Sequence, residues 1–484
     1  VNKRNSMASG QVEPFSIFTT PQKRWISYVA AFGAMFSTLN SYIYFPALVP
    51  MATDLRVSVT MINLTVTCYL VIAGLAPAFM GDFADREGRR PAYLVMVVLS
   101  IGSNVGLALQ TSYPALFALR MIQAAGTSGA FSAASGVVSD IAPPHERGTY
   151  SGTIILLFVS SPNSATTSTN TAPSFGPVIG GVLAYKIGWN WIFWFLTILT
   201  CAHGIILILF FPETQRKLVG NGSKPVKGIL YWNIFSWIFR HEPMERLNTQ
   251  PQPRKHRIPN PLASLPVLLN KGNFCVILFA SISYAIRMVL QASLGAQCIT
   301  LYSLNYLQGG LIYLPAGISG AIGAKLGGIY VDRQYVRTYK KLNCTFGDGE
   351  RDIDFPIEKS RLRGAHVITI ITALGTIGYG LALHFHSHIS IMLVIQFITS
   401  FTSSIIFAMT GTLLTDLNPD KAATASAASN FIRCLLAGGC IAALEPLTNQ
   451  VGLGWCFGIF GLLQVLAIPF IALLELKAVT WRKE

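Results

Sequence analysis

The chain has 484 residues, 52% of them hydrophobic and 12% charged, with a formal net charge of +15. A soluble domain carries about twice that charged fraction, so the composition excludes an ordinary soluble enzyme or nucleic-acid-binding domain. The basic excess belongs in loops on one side of a membrane, and the eight cysteines show neither zinc-ligand spacing nor a disulfide framework.

Twelve apolar runs follow in order, near the ~20 residues that cross a hydrocarbon core of about 30 Å. They are 25–50, 59–80, 92–110, 114–138, 149–187, 190–211, 273–296, 306–330, 366–385, 389–414, 422–446 and 453–475. None alternates polar with apolar residues as barrel strands do. The expected fold is therefore an all-α membrane protein of twelve transmembrane helices. An even number of crossings puts both termini on one side. Lys and Arg gather in the N-terminal segment, 81–91, 212–272, 331–365 and the C-terminal end, while the other side shows little beyond Arg56 and Lys186. That bias makes the termini cytoplasmic. The organisation expected is a cytoplasmic tail without a cleavable leader (1–24), a first bundle (25–211), a basic linker (212–272), a second bundle (273–475) and a short tail (476–484). The linker holds an aromatic patch of Tyr231, Trp232, Phe235, Trp237 and Phe239.

Between the second and third runs stands the densest charge in the chain, Gly81–Arg90 or GDFADREGRR, with Asp82, Asp85, Arg86, Glu87, Arg89 and Arg90. Such a stretch stays out of hydrocarbon, so a surface loop is expected, closed by Gly88. Arg89 is placed to bridge Asp85 to Asp140, at the same end of the fourth run. The pattern recurs. Gly81-x-x-x-Asp85-Arg86 matches Gly328-x-x-x-Asp332-Arg333 after run eight, and Asp140-x-x-Pro143 matches Asp416-x-x-Pro419 after run ten. Matching motifs after matching runs indicate two pseudo-symmetric six-helix bundles, with a substrate site between them near the midplane.

The fifth run is too long for one crossing at ~1.5 Å per residue. Its middle, 160–174, holds eleven Ser, Thr or Asn and two Pro in fifteen residues, a composition that belongs outside a bilayer. The segment reads as a polar insertion, of the kind a retained intron leaves; a transcript that keeps all fifteen codons refutes that origin. Gly176, Pro177, Gly180 and Gly181 follow, residues that permit close helix approach and a kink.

Three arginines fall inside crossings. Arg120 has Gln123 one turn away, Arg287 shares a face with Tyr284 and Gln291, and Arg433 lies mid-run in the eleventh. The first run offers Asn40, Tyr42 and Tyr44 opposite the seventh. No carboxylate lies at the midplane, since Asp54, Glu445 and Glu475 fall near run ends. A cavity so charged suits carboxylates, through bidentate hydrogen bonds. Organic anions are the expected substrates, with neutral or amphipathic drugs as the alternative. The histidines at 384, 386 and 388 read as solvated loop residues, and no phosphate-binding loop appears.

These motifs resemble the major facilitator superfamily. GDFADREGRR is similar to its G-x-L-a-D-R-x-G-R-R loop, with Phe83 in place of Leu. Arg120-x-x-Gln123-x-x-Gly126 resembles its buried-arginine motif, and Gly176-Pro177-x-x-Gly180-Gly181 the antiporter motif of twelve-span drug:proton exchangers. Tyr44-Phe45-Pro46-Ala47, WIFWF at 191–195, Pro212-Glu213-Thr214 and LVGNGS at 218–223 look like the fungal quinidine-resistance branch, which includes citrate exporters. Arg287, where an uncharged residue is usual, and the insertion depart from the pattern.

The resemblance implies export by alternating access, driven by a proton gradient with no cofactor, no metal and no catalysis. It implies a monomer in the lipid bilayer, in the plasma membrane by default. The gating and proton-coupling set it implies is Gly81, Asp85, Arg86, Gly88, Arg89, Arg90, Arg120, Asp140, Gly176, Pro177, Gly180, Gly181, Asp332 and Arg333. The substrate cavity is Asn40, Tyr44, Arg120, Gln123, Tyr284, Arg287, Gln291 and Arg433. An importer of the same fold and a non-transporting paralogue are the alternatives.

Overall fold

A computed structural model describes residues 15–142, 172–222, 228–231, 266–341, 355–418 and 422–483. Among them the regular structure is helical, without strands. The first half lays down α1 (Thr20–Tyr42), α2 (Val59–Glu87), α3 (Arg89–Leu109), α4 (Tyr113–Ile141), α5 (Ala172–Lys186) and α6 (Asn190–Phe210). The second gives α7 (Lys271–Ser293), α8 (Leu314–Lys341), α9 (Ala365–His384) and α10 (Ile389–Leu417). A last helical stretch, Ala422–Val465, is broken at Gly452 into α11 (422–451) and α12 (453–465), and it resumes as Ile468–Lys483. Seven stretches among the described residues are long and apolar enough to cross a membrane. Large side chains such as Val98, Ile198, Trp455 and Leu462 point outward, as lipid contact requires. The chain is an integral, multi-pass membrane protein.

Local chemistry sets the helix ends. The Ser58 hydroxyl accepts from Met61 N at 3.3 Å ahead of α2, and the Asn270 side chain accepts from Gly272 and Asn273 ahead of α7. Pro46 stops α1, because its ring clashes with the carbonyl one turn earlier. A 3-10 turn (Phe45–Ala47) and a short helix (Leu48–Asp54) complete the crossing expected at 25–50. Most of the insertion expected at 160–174 lies outside the described residues, as do Pro143, Pro419, Cys344 and the aromatic patch beyond Tyr231. Ala172–Ser174 already belong to α5.

The charged stretch departs from the expected loop. Residues 81–87 complete α2, and the connection to α3 is Gly88 alone, at φ 110°. That backbone conformation suits a residue without Cβ. The helix persists because its charges pair at i,i+4 spacing: Asp82 with Arg86, and Asp85 with Arg89 across Gly88, each at 2.6 Å.

In the first half α4 packs on α1, α2 and α3, and α6 on α3; in the second, α8 packs on α10, α7 on α11, and α9 on α10. Helix α2 against α11, and α5 against the short helix Tyr306–Leu311 and α8, join the halves. Below the Gly88 end, Ile26, Ala84, Tyr93, Ala134, Val138 and Phe211 form a separate hydrophobic cluster. A larger one runs through both halves.

Candidate functional site

At the Gly88 end, Arg89 stands between Asp85 (Nη1–Oδ1, 2.6 Å) and Asp140 (Nε–Oδ2, 2.9 Å). The guanidinium is buried over Gly136, where any Cβ would collide with it. The end of α2, the start of α3 and the end of α4 are thus joined through one side chain. Arg86 is spent on Asp82 at the surface, a pair worth little. Arg90 does not join the aspartates. Its guanidinium is directed at the carbonyls of Leu207, Ile208 and Phe211 at the end of α6, and at Leu230 O. A cation there complements the exposed carbonyls of a helix C-terminus.

A strap missed in the sequence completes this end. Buried Glu213 accepts from the backbone N–H groups of Arg89 (2.9 Å), Arg90 (3.1 Å), Thr214 (2.9 Å) and Gln215 (2.9 Å). The carboxylate caps the N-terminus of α3, where the helix dipole favours an anion. Gln215 donates to Asp85 O, and Arg216 donates to Asp140 O (2.9 Å) and Phe15 O (2.6 Å). Pro212-Glu213-Thr214 was legible as a family signature, but nothing in its spacing told what it held.

The second half repeats the bridge with an unexpected residue. Arg361 reaches Asp332 (3.0 Å) and Asp416 (2.8 Å) and lies over the Tyr335 ring at 4.3 Å. Arg333, expected in the gate, is exposed instead. Arg361 stands ahead of α9 as Arg89 stands at the start of α3, and the longer connection before it hides the correspondence. Its neighbour Glu358 pairs with Arg482 at 3.1 Å. Burial is the largest influence on Glu358 and raises its pKa, with Arg482 opposing.

The membrane-depth arginines form two separate groups. In the first half Arg120 is fully buried, its guanidinium over the rings of Tyr44 (4.1 Å) and Tyr69 (4.3 Å), a cation–π arrangement. It donates to Gln123 Oε1 at 2.5 Å; Gln123 in turn donates to Asn40 (2.8 Å) and Asn104 (2.5 Å). Asn40 and Tyr44 therefore turn into this half rather than facing α7. Tyr42, at the end of α1, reaches the second half, donating to Met288 Sδ at 3.4 Å.

In the second half Arg287 donates to Ser404 Oγ at 3.2 Å. Arg433 donates to Asn430 at 2.6 Å and lies over Tyr284 (4.6 Å) and Phe407 (5.2 Å). Tyr284, Phe407 and Arg287 border one cavity. Gln291 is not part of its wall: this residue sits a turn further along α7, its carbonyl accepting from Tyr313 at 2.8 Å.

The glycine motif lies at the far end and forms a seam between the halves. A Cβ at Gly181 would stand 2.5 Å from Tyr306 O, and one at Gly310 would stand 2.6 Å from Pro177 O. A Cβ at Gly180 would strike Ile43 O, whereas Gly176 has more room, 3.2 Å from Ile43 N. Beside the seam, Phe45 stacks parallel to Tyr313 with centroids 6.2 Å apart.

Comparison with known proteins follows the same lines. The family model described as Major Facilitator Superfamily matches residues 30–443. The MFS-type transporter phiD of a fungal species is 34% identical over 477 residues, covering 97% of this chain and 71% of the relative. Citrate exporter 1 of Aspergillus niger is 29% identical over 485 residues, covering 98% and 89%. Among solved structures, the xylose transporter XylE from E. coli, in a partially occluded inward-open conformation, aligns at TM-score 0.63. Its sequence identity is 16%, and the alignment covers 94% of this chain and 98% of that one.

Proposed function

Because the chain belongs to the Major Facilitator Superfamily of membrane transporters, we propose that it exports a small organic anion by alternating access, driven by proton entry. The observation that carries this reading is the pairing of Arg287 and Arg433 around Tyr284 and Phe407, in helices with no Asp or Glu near the midplane. Such a site attracts carboxylates and disfavours cations. Likeness to a citrate exporter supports the same substrate class, and the antiporter motif at the seam supports export over import.

The aspartates at the Gly88 end supply the proton-sensitive step. Burial holds the Asp140 carboxyl above the usual carboxylate range against the opposing charge of Arg89, so the buried member of the bridge is the one poised to take a proton. Neutralising Asp140 weakens its link to Arg89 at the start of α3 and biases the conformational equilibrium. Both termini are assigned to the cytoplasm, in the plasma membrane.

Proteoliposomes with an imposed pH gradient, loaded in parallel with citrate and with a cationic drug, test the reading. Acid transport that collapses with the gradient and is lost in Arg287→Ala is expected. Unchanged acid transport by Arg287→Ala, or transport of the cation alone, would remove the argument.

A further inference from the structure

We propose that the exposed end of α8 is a docking surface for the headgroups of anionic phospholipids in the leaflet at the Gly88 end. On the topology proposed above, that leaflet is the cytoplasmic one, where such lipids concentrate. The surface begins at Arg333, which the repeated motif put in the gate and the structure leaves exposed.

Helix α8 has two unlike faces. One is lined by glycine and lies against α10. A Cβ at Gly323 would stand 2.5 Å from Phe401 O, and one at Gly327 would stand 3.1 Å from Ile405 Cα. Away from that contact, Ile318, Ile322, Leu326 and Ile329 are exposed. Arg333, Arg337 and Lys340 continue the row and are exposed as well. All seven recur at a spacing of three or four residues, so they share one stripe of the helix.

The stripe changes character at one level. Its isoleucines and leucine suit hydrocarbon. Tyr330 marks the boundary, since rings with a polar tip gather at the membrane surface. The Tyr330 hydroxyl donates to Arg363 O at 3.1 Å, which brings exposed Arg363 beside the stripe. Beyond Tyr330, α8 runs on to Lys341, about three further turns. From Arg333 to Lys340 is ~10 Å along the axis, comparable with the Debye length of about 8 Å over which a charged surface acts at physiological salt.

These cations are unspent. Among the described residues none of Arg333, Arg337, Lys340, Lys341 and Arg363 forms an ion pair, and Asp332, beside the stripe, is held by Arg361 at 3.0 Å. A bias of charge that only fixed topology would need the right side of the membrane and no particular helix face. Here the cations stand in register with the lipid-facing row, and a cluster of that size just beyond a crossing helix attracts anionic headgroups. Arginine adds a fork that matches a phosphate.

Native mass spectrometry of the purified full chain in detergent tests this, by counting the dioctanoyl phosphatidylserine or dioctanoyl phosphatidylcholine it retains. The wild type is expected to prefer phosphatidylserine. Each Lys or Arg near an anionic surface is worth about fivefold in binding. The triple variant Arg333→Gln, Arg337→Gln, Lys340→Gln should therefore weaken phosphatidylserine tenfold or more, with phosphatidylcholine and the unfolding midpoint unchanged. Lys217→Gln, Lys359→Gln, Lys477→Gln removes the same charge from other exposed positions and should keep the preference. Equal retention of the two lipids by the wild type, or an equal loss in both triple variants, overturns the docking surface. Displacement of phosphatidylserine by inorganic phosphate at matching concentration would mean a site for free anions and overturns it too. A wrong assignment of the termini leaves this measurement unchanged and shows separately, in the accessibility of a C-terminal epitope on intact cells.

Discussion

Arg89 and Arg361 occupy equivalent places in the two halves. Each guanidinium joins an aspartate near the end of its half's second helix to one at the end of the fourth: Asp85 and Asp140 at 2.6 and 2.9 Å, Asp332 and Asp416 at 3.0 and 2.8 Å. The two bridges differ in burial. Asp140 keeps 11% of its side chain exposed, against 24% for Asp416.

That difference ranks two variants. Arg89→Ala leaves Asp140 buried without its cation and is expected to cost about 3 kcal/mol. Arg361→Ala leaves better hydrated aspartates and should cost roughly 1 kcal/mol. Thermal unfolding midpoints of the purified variants decide the matter, and a lower midpoint for the Arg361 variant would refute the ranking.

Glu213 satisfies four backbone donors with one carboxylate. Glu213→Ala leaves those buried N–H groups without an acceptor and should cost about 3 kcal/mol, whereas Glu213→Gln keeps one acceptor oxygen and should cost roughly half of that. If alanine and glutamine prove equivalent in unfolding midpoint, the capping role is wrong.

The seam at the far end closes only while Gly181 and Gly310 lack side chains. Gly181→Ala is expected to push α5 off the Tyr306–Leu311 helix and favour the state open at that end. Spin labels at Tyr185 and Leu307 should then report a longer distance, with transport slowed. Gly439→Ala is the control, because a Cβ at that position meets nothing within 4 Å. An unchanged distance in the Gly181 variant would mean that the seam yields without opening.

Glu358 predicts an inverted pH response. Its folded-state pKa is raised, chiefly by burial, so folding favours the protonated carboxyl. The stability this group contributes is present at low pH and is lost as pH rises through its folded-state pKa, opposite to a carboxylate whose pKa its partners depress, because here burial outweighs the pairing with Arg482. Wild-type minus Glu358→Gln differences in unfolding midpoint should therefore fall between pH 4 and pH 7. A difference that rises over that range contradicts the assignment.

How far the sequence could be read depended on the range of the interaction. Crossings follow from runs of apolar residues, and the halves from a repeated local motif, so both were legible. The bridge from Arg89 to Asp85 and Asp140 was legible because the motif keeps its charges close to helix ends. Arg361 was not, since the longer stretch before it breaks the spacing that identifies Arg89. Glu213 stands in a family signature, yet two of its four partners lie over a hundred residues away and all four are backbone amides, which no side-chain pattern announces. Asn40 and Tyr44 were misplaced because helical periodicity gives a shared face but not the neighbour it meets, and the break at Pro46 turns Tyr44 toward Arg120.

The strap also moves the seam along which the polypeptide divides. Glu213 and Gln215 dock on the first half, as do Arg216 and Leu230, and the Tyr231 hydroxyl donates to Glu87 O at 2.8 Å. The first half therefore continues to 231, twenty residues past the end of the run at 211. Were the gene split and its two pieces co-expressed, a cut at 211 would hand the cap of α3 to the wrong fragment. A cut beyond 231 would leave each fragment with its own fastening.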